Sequence, residues 1–270
     1  MAFDLDGTLL NSEKIIDDST MKALEAAAAK GVEIVPCTGR FYKAMPECVL
    51  QLPFVNYSIN INGACAFDVK NEKSLICHDM PKERVLELIE WYEDKDCAYD
   101  VYMNNWGYIQ KDQADNIARH MYNTFYQKQI RDFRTHVENL KDFVAAAADC
   151  DIQKFQIYSE DSDFIVDVFR KTKEKFSDLE ISSSEKNDIE YTNKQANKGL
   201  ALKELCDYLR IDIKDAMAFG DGGNDVELLK IAGIGVAMGN AKPKCKEAAD
   251  FVTLSNDDGG IAYAIEKFVL

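Results

Sequence analysis

Short apolar runs alternate with amphipathic stretches in the first 80 residues and again after residue 190, and this alternation predicts an α/β fold. Strands are expected at the apolar runs 1–3, 32–35, 57–61 and 215–219. Between the first two runs, Met21, Leu24 and Ala28 share one face of a predicted helix. A strand, a helix and a strand of these lengths form a right-handed parallel crossover. We therefore predict a core with a Rossmann-like, mainly parallel sheet.

The middle of the chain has a different pattern, which predicts an inserted domain. From about residue 81 to residue 187, helix-like and strand-like stretches mix in no regular order, and they include a predicted helix around 113–126. No cluster of residues there has a catalytic pattern. We therefore predict a core built from residues 1–79 and 190–270, with an α+β cap, residues 80–189, inserted between them.

Two aspartates follow the first apolar run, and their spacing brings both carboxylates to the same side of the chain. Asp4 and Asp6 are two residues apart, and side chains two apart on an extended chain point the same way. Converging carboxylates repel and are costly to desolvate unless a cation or a proton joins them. The pair therefore suits a divalent ion, with one carboxylate left to attack an electrophile. The alternative is a plain strand-to-turn junction, because Asp and Gly are common turn residues.

Two later polar segments also follow predicted strands, at the sheet edge where parallel α/β folds collect ligands. The first contains Thr38, Gly39 and Arg40, which offer a hydroxyl for a phosphate and a glycine that lets the backbone approach a ligand. Taken alone, this segment is more typical of a plain loop than of a phosphate site. The second has the sequence GDGGND at 220–225 and adds another acidic cluster. It lacks the alternating Asp spacing and the terminal Glu of an EF-hand calcium loop.

A lysine and an Asn-Gly pair complete the candidates. Lys198 opens a predicted helix, where a cation is unfavourable towards the helix dipole unless an anion is also present. Lys194 is a competing candidate for a lysine that meets an anion. Asn62 and Gly63 follow the strand at 57–61 and are a strong turn signal. Two interpretations of this pair stay open: a plain turn and a functional role.

In order, the polar segments resemble the four motifs of the haloacid dehalogenase-like (HAD) phosphatases: 4–8, 38–40, Lys198 and 220–225. The large insert between the second and third motifs is similar to the Cof-type (cap type IIB) branch, of which an Asn-Gly pair is a recurrent feature. The resemblance covers nearly the whole chain. It implies a phosphoric monoester hydrolase that uses Mg²⁺ and an aspartyl-phosphate intermediate. The implied substrate is a small phosphorylated metabolite, a sugar phosphate first, which the cap selects.

The resemblance also implies a role for each motif residue. The nucleophile would be Asp4, and the general acid and base would be Asp6. The Mg²⁺ ligands would be Asp4, the backbone carbonyl of Asp6, and Asp221. The residues that bind the phosphate or the substrate would be Thr38, Gly39, Arg40, Lys198 and Asn224. Asp225 would orient Lys198 or reach the metal through water. Only three residues precede Asp4, fewer than this family usually has, so we expect a short first strand or a start further upstream.

Composition narrows the classes of partner and the location. The 270 residues are 47% hydrophobic and 29% charged, which is typical of a soluble globular protein. No stretch approaches 18 consecutive apolar residues, so we expect no membrane span. With Asp4 and Asp6 so close to Met1 we expect no secretory signal, and the eight cysteines include no Cys-x-x-Cys pair. These features predict a cytoplasmic protein with reduced thiols.

The net charge of −15 argues against nucleic acid as a partner, because its binding needs a basic surface. An anionic substrate then requires a local positive centre. Mg²⁺, Lys198, Arg40 and backbone N–H groups would supply it.

Two other classes of function remain open. A phosphotransferase or phosphomutase would share the same motifs. A non-catalytic protein that binds a phosphorylated metabolite would be expected to lack at least one of Asp4, Asp6, Lys198 and Asp221, and all four are present. Nucleotides, pyridoxal phosphate and flavin mononucleotide compete with sugar phosphates as substrates. We expect a monomer or a weak homodimer.

Overall fold

The computed structural model describes residues 1–148, 150–183 and 186–270. Within these ranges the chain forms fourteen strands and eleven α-helices. The strands are β1 (Ala2–Phe3), β2 (Val35–Pro36), β3 (Tyr57–Asn60), β4 (Cys65–Asp68), β5 (Lys73–Cys77), β6 (Ala98–Met103), β7 (Trp106–Gln110), β8 (Arg134–Val137), β9 (Ile152–Tyr158), β10 (Leu179–Ser182), β11 (Asp188–Asn193), β12 (Met217–Gly220), β13 (Ile234–Ala237) and β14 (Phe251–Val252). The helices are α1 (Asp18–Ala29), α2 (Glu47–Leu50), α3 (Lys82–Tyr92), α4 (Lys111–Asp115), α5 (Thr124–Asp132), α6 (Leu140–Ala146), α7 (Ser162–Lys175), α8 (Lys198–Leu209), α9 (Val226–Ile231), α10 (Pro243–Ala248) and α11 (Gly260–Phe268). None of these helices is both long enough and apolar enough to cross a membrane.

The chain divides into two compact units. The core unit consists of Met1–Arg40, Met45–Ile76 and Ala196–Leu270. The insert unit consists of Phe41–Ala44 and Cys77–Gln195. The bounds drawn from the sequence, and the role of the insert as a specificity cap, stay predictions.

The core unit contains a five-stranded parallel sheet with the strand order β14-β13-β12-β1-β2. Strand β1 lies inside this sheet, and Phe3 pairs with Phe219 of β12 on one side and with Pro36 of β2 on the other. The rings of Phe3 and Phe219 stack with their centroids 4.6 Å apart, and both residues are fully buried. An apolar strand between two neighbours is typical of a parallel sheet that is covered on both faces. The predicted α/β fold with a mainly parallel core sheet is confirmed.

Strand β2 is shorter than the run at 32–35 predicted, and it begins only at Val35. Its partner β1 is itself two residues long, so the ladder cannot extend further back. The N–H groups of Val35 and Cys37 donate across to the carbonyls of Met1 and Phe3, at 2.9 and 2.7 Å. The residue between these two donors faces away from β1, so Pro36, which has no N–H, removes no hydrogen bond from this ladder.

Helix α1 connects β1 to β2, and its two ends follow ordinary capping rules. The Asp17 carboxylate accepts from the N–H groups of Ser19 and Thr20, which the first turn of the helix leaves without partners. After the helix, Gly31 has a φ of +83° and donates to the carbonyl of Ala28. The crossover predicted from the spacing of the apolar residues therefore forms.

A smaller sheet with the order β3-β4-β5 stands beside a turn with an unusual backbone. The turn follows β3, and its three residues, Ile61, Asn62 and Gly63, have φ values of +53°, +53° and +94°. The left-handed conformation costs roughly 1–2 kcal/mol for an ordinary L-residue, and a β-branched residue such as Ile61 adopts it rarely. The Asn-Gly pair thus forms the predicted turn, with strain in the residue before it.

The insert unit is an α+β structure around a six-stranded sheet in the order β10-β11-β9-β6-β7-β8. Its pairs are antiparallel except for β7 with β8. Apolar side chains of α3, α6 and α7 pack on one face of this sheet. The helix predicted around 113–126 is wrong as a single element, since α4 and α5 are separate. Asn116 and Asn123 lie between them, and asparagine favours caps and turns over helix interiors.

Candidate active site

Strands β1 and β12 end side by side, so the polar residues that follow them meet at one edge of the sheet. Asp4 follows β1, and its N–H donates to the carbonyl of Phe219 at 3.0 Å. Asp221 follows β12. Lys198 is the first residue of α8, and its Nζ donates to Asp4 Oδ1 at 2.5 Å and to Asp225 Oδ1 at 2.7 Å. Asp4, Lys198 and Asp225 are all buried, so three motifs that are far apart in sequence form one cluster.

This buried cluster, with Asp221 beside it, contains three carboxyl groups and one lysine. Burial, with the Asp225 carboxylate next in effect, raises the pKa of Asp4 to about 8. Burial likewise raises the pKa of Asp221. Burial acts against the charge of Lys198 too, but Asp225 and Asp4 outweigh it and raise the pKa of the lysine, which therefore stays protonated. One lysine faces three carboxylates, and an additional cation would relieve the repulsion among them.

The carboxylates of this cluster fit a divalent metal ion. Oxygen atoms of Asp4, Asp221 and Asp225 lie within 4.8 Å of one another, and carboxylate oxygens are the donors that Mg²⁺ prefers. Asp225 is already engaged, since Oδ1 accepts from Lys198 and Oδ2 accepts from the N–H groups of Asp221 and Gly222, at 3.0 and 2.8 Å. Asp4 and Asp221 are therefore the members of this set that suit a metal, while Asp225 holds the lysine and the loop.

The Asp6 carboxylate has different partners from Asp4. Its Oδ1 accepts from Lys14 Nζ at 2.9 Å, and its Oδ2 accepts from Nε and one terminal nitrogen of Arg40, at 3.1 and 3.0 Å. Burial acts to raise the pKa of Asp6, but the cations of Arg40 and Lys14 hold that pKa below its ordinary value. The Arg40 side chain, which the resemblance assigns to the substrate, thus binds Asp6 here.

The loop after β2 meets the loop after β12 through two asparagines. Thr38 is buried, and its Oγ1 accepts from the N–H of Arg40 at 3.2 Å. A Cβ on Gly39 would lie 3.0 Å from Asn62 Oδ1, which is closer than ordinary van der Waals contact, so the Asn62 side chain would have to shift by a few tenths of an ångström. The same Asn62 Oδ1 accepts from Asn224 Nδ2 at 3.1 Å. Gly39, Asn62 and Asn224 therefore lie in contact.

The structure adds three side chains whose contacts the sequence did not predict. Thr8 Oγ1 donates to Asp221 Oδ1 at 2.9 Å, and Asn62 makes the contacts just described. Both residues belong to segments that the sequence had singled out, as part of a motif and as a turn. Lys14 carried no sequence signal. The competing lysine, Lys194, is exposed in the insert unit.

Comparison with known proteins gives a consistent set of relatives. Residues 1–265 match a family described as haloacid dehalogenase-like hydrolases. Over the whole chain, the sequence is 30% identical to the phosphatase YwpJ of Bacillus subtilis, covering 99% of that protein. It is 31% identical to the 5-amino-6-(5-phospho-D-ribitylamino)uracil phosphatase YcsE of the same organism, again over the whole chain and covering 95% of the relative.

The fold gives the same result. A solved structure of a haloacid dehalogenase-like hydrolase from B. subtilis superposes with a TM-score of 0.81 at 28% identity, covering 100% of this chain and 99% of the other. The HAD subclass IIB sugar phosphatase BT4131 superposes with a TM-score of 0.81 at 27% identity, covering 99% and 97% of the two chains.

Proposed function

The chain belongs to the haloacid dehalogenase-like hydrolase family, and on that premise we propose that it is a Mg²⁺-dependent phosphatase of a small phosphorylated metabolite that acts through an aspartyl-phosphate. The Cof-type, subclass IIB resemblance is confirmed, because a subclass IIB sugar phosphatase is among the structural neighbours. The protein is thus an enzyme of the hydrolase class. The metal, the intermediate, the residue roles and the substrate are parts of the proposal.

One observation carries the proposal: the Asp4 carboxylate lies buried against Lys198 and beside two further carboxylates. A salt bridge buried among excess carboxylates contributes little to stability by itself. As a reaction centre it has a clear use, because a nucleophilic oxygen must approach a phosphate dianion. Lys198 and a metal ion would offset the repulsion between the two anions.

The residues that would hold Mg²⁺ are Asp4, Asp221 and the backbone carbonyl of Asp6. When bound, the ion neutralises charge on the phosphoryl oxygens and on the attacking carboxylate. Thr8 holds Asp221 by a hydrogen bond at 2.9 Å, and Asp225 holds Lys198. These two contacts fix the side chains around the ion in advance of the reaction.

The proposed chemistry has two displacements at phosphorus. An oxygen of Asp4 forms a bond to phosphorus, the bond to the leaving-group oxygen breaks, and that oxygen takes a proton from Asp6. A water molecule then attacks the aspartyl-phosphate and gives a proton to Asp6. The bond between phosphorus and the Asp4 oxygen breaks, and its electron pair returns to the carboxylate. Arg40 and Lys14 hold the Asp6 side chain and must loosen when it carries the proton.

The phosphoryl group itself would bind to the residues that we call the phosphate cradle: Thr38, Gly39, Lys198 and Asn224. Thr38 supplies a hydroxyl, Gly39 a backbone that a ligand can approach, Lys198 a protonated amine and Asn224 an amide. Such preorganised donors stabilise the charge of the transferring group. Arg40 would act on the reaction through Asp6, which it binds in the structure.

We assign the substrate to sugar phosphates and sugar-alcohol phosphates. Two of the similar proteins support this class, a sugar phosphatase and a phosphatase of a phosphorylated ribityl compound. Both describe a phosphate ester on a polyhydroxylated carbon chain. In the proposal, the insert unit selects among such chains, because the four motifs account only for the phosphate.

The test is phosphate release from a panel of sugar phosphates, sugar-alcohol phosphates, nucleotides, pyridoxal phosphate and flavin mononucleotide, with Mg²⁺ or with EDTA. We expect Mg²⁺-dependent release, fastest from the polyol esters. Asp4→Asn should lose roughly a thousandfold or more of kcat. Asp18→Asn, an exposed carboxylate at the start of α1, is the matched control and should keep wild-type rates.

Retention of more than a few percent of wild-type turnover by Asp4→Asn would sink the nucleophile assignment. Transfer of phosphate to an added alcohol in preference to water would identify a phosphotransferase instead. No release from any member of the panel by the folded protein with Mg²⁺ would favour a non-catalytic phosphate-binding protein.

A further inference from the structure

The left-handed turn after β3 touches three of the segments that form the phosphate cradle. Its backbone joins the loop after β2, because the N–H of Asn62 donates to the Thr38 carbonyl at 3.0 Å and the N–H of Ile61 donates to the Arg40 carbonyl at 3.1 Å. The turn also packs on the start of α8. A Cβ on Gly63 would come within 2.2 Å of the Asn197 carbonyl oxygen and within 2.7 Å of the backbone nitrogen of Lys198.

The Asn62 side chain makes the third connection. Its Oδ1 accepts from Asn224 Nδ2 at 3.1 Å and lies where a Cβ on Gly39 would nearly touch it, at 3.0 Å. Asn224 is exposed, whereas Ile61 and Gly63, the neighbours of Asn62 in the turn, are buried. Asn224, the exposed member of the cradle, is therefore held by the side chain of Asn62, whose neighbours in the turn are buried and whose backbone is hydrogen-bonded.

We propose that Asn62 is a positioning residue, which holds the Asn224 amide in the orientation that binds the phosphoryl group. This inference rests on the proposed function, since it assigns a role within the phosphate cradle. A side-chain amide can turn about its last bond, and a partner on one side selects one orientation. Asn62 Oδ1 occupies one Nδ2–H of Asn224, so the other N–H of that amide remains to donate to an anion.

The contacts around this turn explain why it keeps a strained, left-handed backbone. Residues held in a sparsely populated conformation persist where the surroundings over-determine them, and such residues cluster at functional sites. Here two backbone hydrogen bonds and a close glycine contact hold Ile61, Asn62 and Gly63 in place. A turn that only reversed the chain would need left-handed residues such as Asn and Gly, but no side-chain contact with Asn224.

The test is a double-mutant cycle that measures the binding of inorganic phosphate, with Mg²⁺ present, by product inhibition and by calorimetry. Asn62→Gly keeps a residue that tolerates the left-handed backbone and removes only the amide. We expect it to weaken phosphate binding about tenfold and to raise KM more than it lowers kcat. In the Asn224→Ala background the same change should cost less than about twofold, because the two residues act as one unit.

Two further variants separate positioning from folding. Asn62→Asp keeps the left-handed tendency and the acceptor but adds a negative charge beside the anion, so we expect weaker phosphate binding than in Asn62→Gly. A residue with a turn role alone would accept Asp as readily as Asn. The matched control is Asn104→Gly, in the insert unit, where the asparagine has the same φ of +53° and bonds the backbone of Asp151. It should change thermal stability and leave phosphate binding unchanged.

Independent effects of Asn62→Gly and Asn224→Ala, multiplying in the double variant, would overturn the positioning role. Wild-type phosphate binding by both Asn62 variants would also overturn it. These outcomes differ from a failure of the proposed function, in which the wild-type protein neither binds phosphate nor releases it, and that result would overturn both proposals together.

Discussion

Lys198 lies in surroundings that differ from what its chemistry would suggest. A lysine has a long stem and an ammonium group that is strongly hydrated, yet here it is fully buried between Asp4 and Asp225. Removing one partner of a buried ion pair usually destabilises more than the pair contributes, because an uncompensated charge remains. Lys198 therefore has a structural role as well as the proposed catalytic one.

Lys198→Met should lower the free energy of unfolding by about 3–5 kcal/mol in the absence of Mg²⁺. The reason is that Asp4 and Asp225 would stay buried without their cation. Urea denaturation measures the change. Lys203→Met, which removes the partner of Asp207 on the exposed side of the same helix, is the control and should cost less than about 1 kcal/mol. Equal losses in the two variants would contradict the buried-pair interpretation.

The raised pKa of Asp79, in the insert unit, predicts how the stability of the protein depends on pH. Burial and the neighbouring Asp151 raise the pKa of Asp79 to about 6 from an ordinary value near 3.8. The folded state therefore binds a proton more readily than the unfolded chain. The contribution of this group to stability is greatest below about pH 4 and is lost as the pH rises through about 6.

Asp79→Asn should therefore stabilise the protein at pH 7 by about 1 kcal/mol, after allowance for solvent screening, and should have no such effect at pH 4. The amide can still accept from Gln153, which donates to Asp79 Oδ1 at 3.1 Å. Thermal melting across this pH range measures it, with Asp94→Asn, an exposed carboxylate, as the control. A gain of equal size at pH 4 and pH 7 would rule out the titration.

At the scale of elements, the start of α8 matters most, because this helix begins with the cluster's lysine. Asn197 precedes Lys198, and its Oδ1 accepts from the N–H of Leu200 at 2.7 Å. This cap offsets the unfavourable position of a cation at a helix start, together with the two carboxylates. The helix terminus is thus positioned by its cap, by the turn at Gly63 and by the ion pairs.

Asn197→Ala should destabilise the protein by about 1 kcal/mol through the lost cap. Asn197→Asp keeps an acceptor for the Leu200 N–H and should restore most of that loss. Denaturant midpoints compare the three proteins. If Asn197→Asp does not restore the lost stability, the added negative charge beside Asp4 and Asp225 costs more stability than the cap contributes.

The sequence predicted the elements that depend on local pattern. It did not predict the features that depend on contacts between residues far apart in the chain. Asp4 and the segment at 220–225 follow apolar strands, so their meeting at one sheet edge was predictable from topology alone. The late start of β2 depends on the length of its neighbour β1, which no local pattern shows. Lys14 reaches Asp6 from a loop that has no motif. The contact of Asn62 with Asn224 spans 162 positions along the chain, and only the fold brings them together.

At the scale of the whole molecule, two units with separate cores imply two unfolding events. The core unit contains Asp4 and Asp221, and the insert unit has its own apolar core. A ligand that binds only the folded form of one unit stabilises that unit by mass action. Mg²⁺ should therefore act on one event and not on the other.

Calorimetry of the full chain should show two transitions, and saturating Mg²⁺ should raise only one of them, by about 5–10 °C. Asp221→Asn should remove most of that shift, since it deletes one proposed ligand. Asp212→Asn, a carboxylate of the same unit that caps the short helical turn before β12, is a control that keeps the shift. An equal shift of both transitions, or an undiminished shift in Asp221→Asn, would contradict the metal site.

The position of β1 inside its sheet has a consequence for the growing chain on the ribosome. Strand β1 ends at residue 3, and its neighbour β12 begins at residue 217, 214 positions later. At synthesis rates of roughly 5–20 residues per second, Asp4 waits about 10–40 seconds for the strand that completes its surroundings. During that time one edge of β1 stays open, and neither Lys198 nor Asp221 is in place for most of it. A stalled or prematurely released polypeptide would therefore carry the proposed nucleophile without Lys198 and Asp221, and we expect such fragments to have no phosphatase activity.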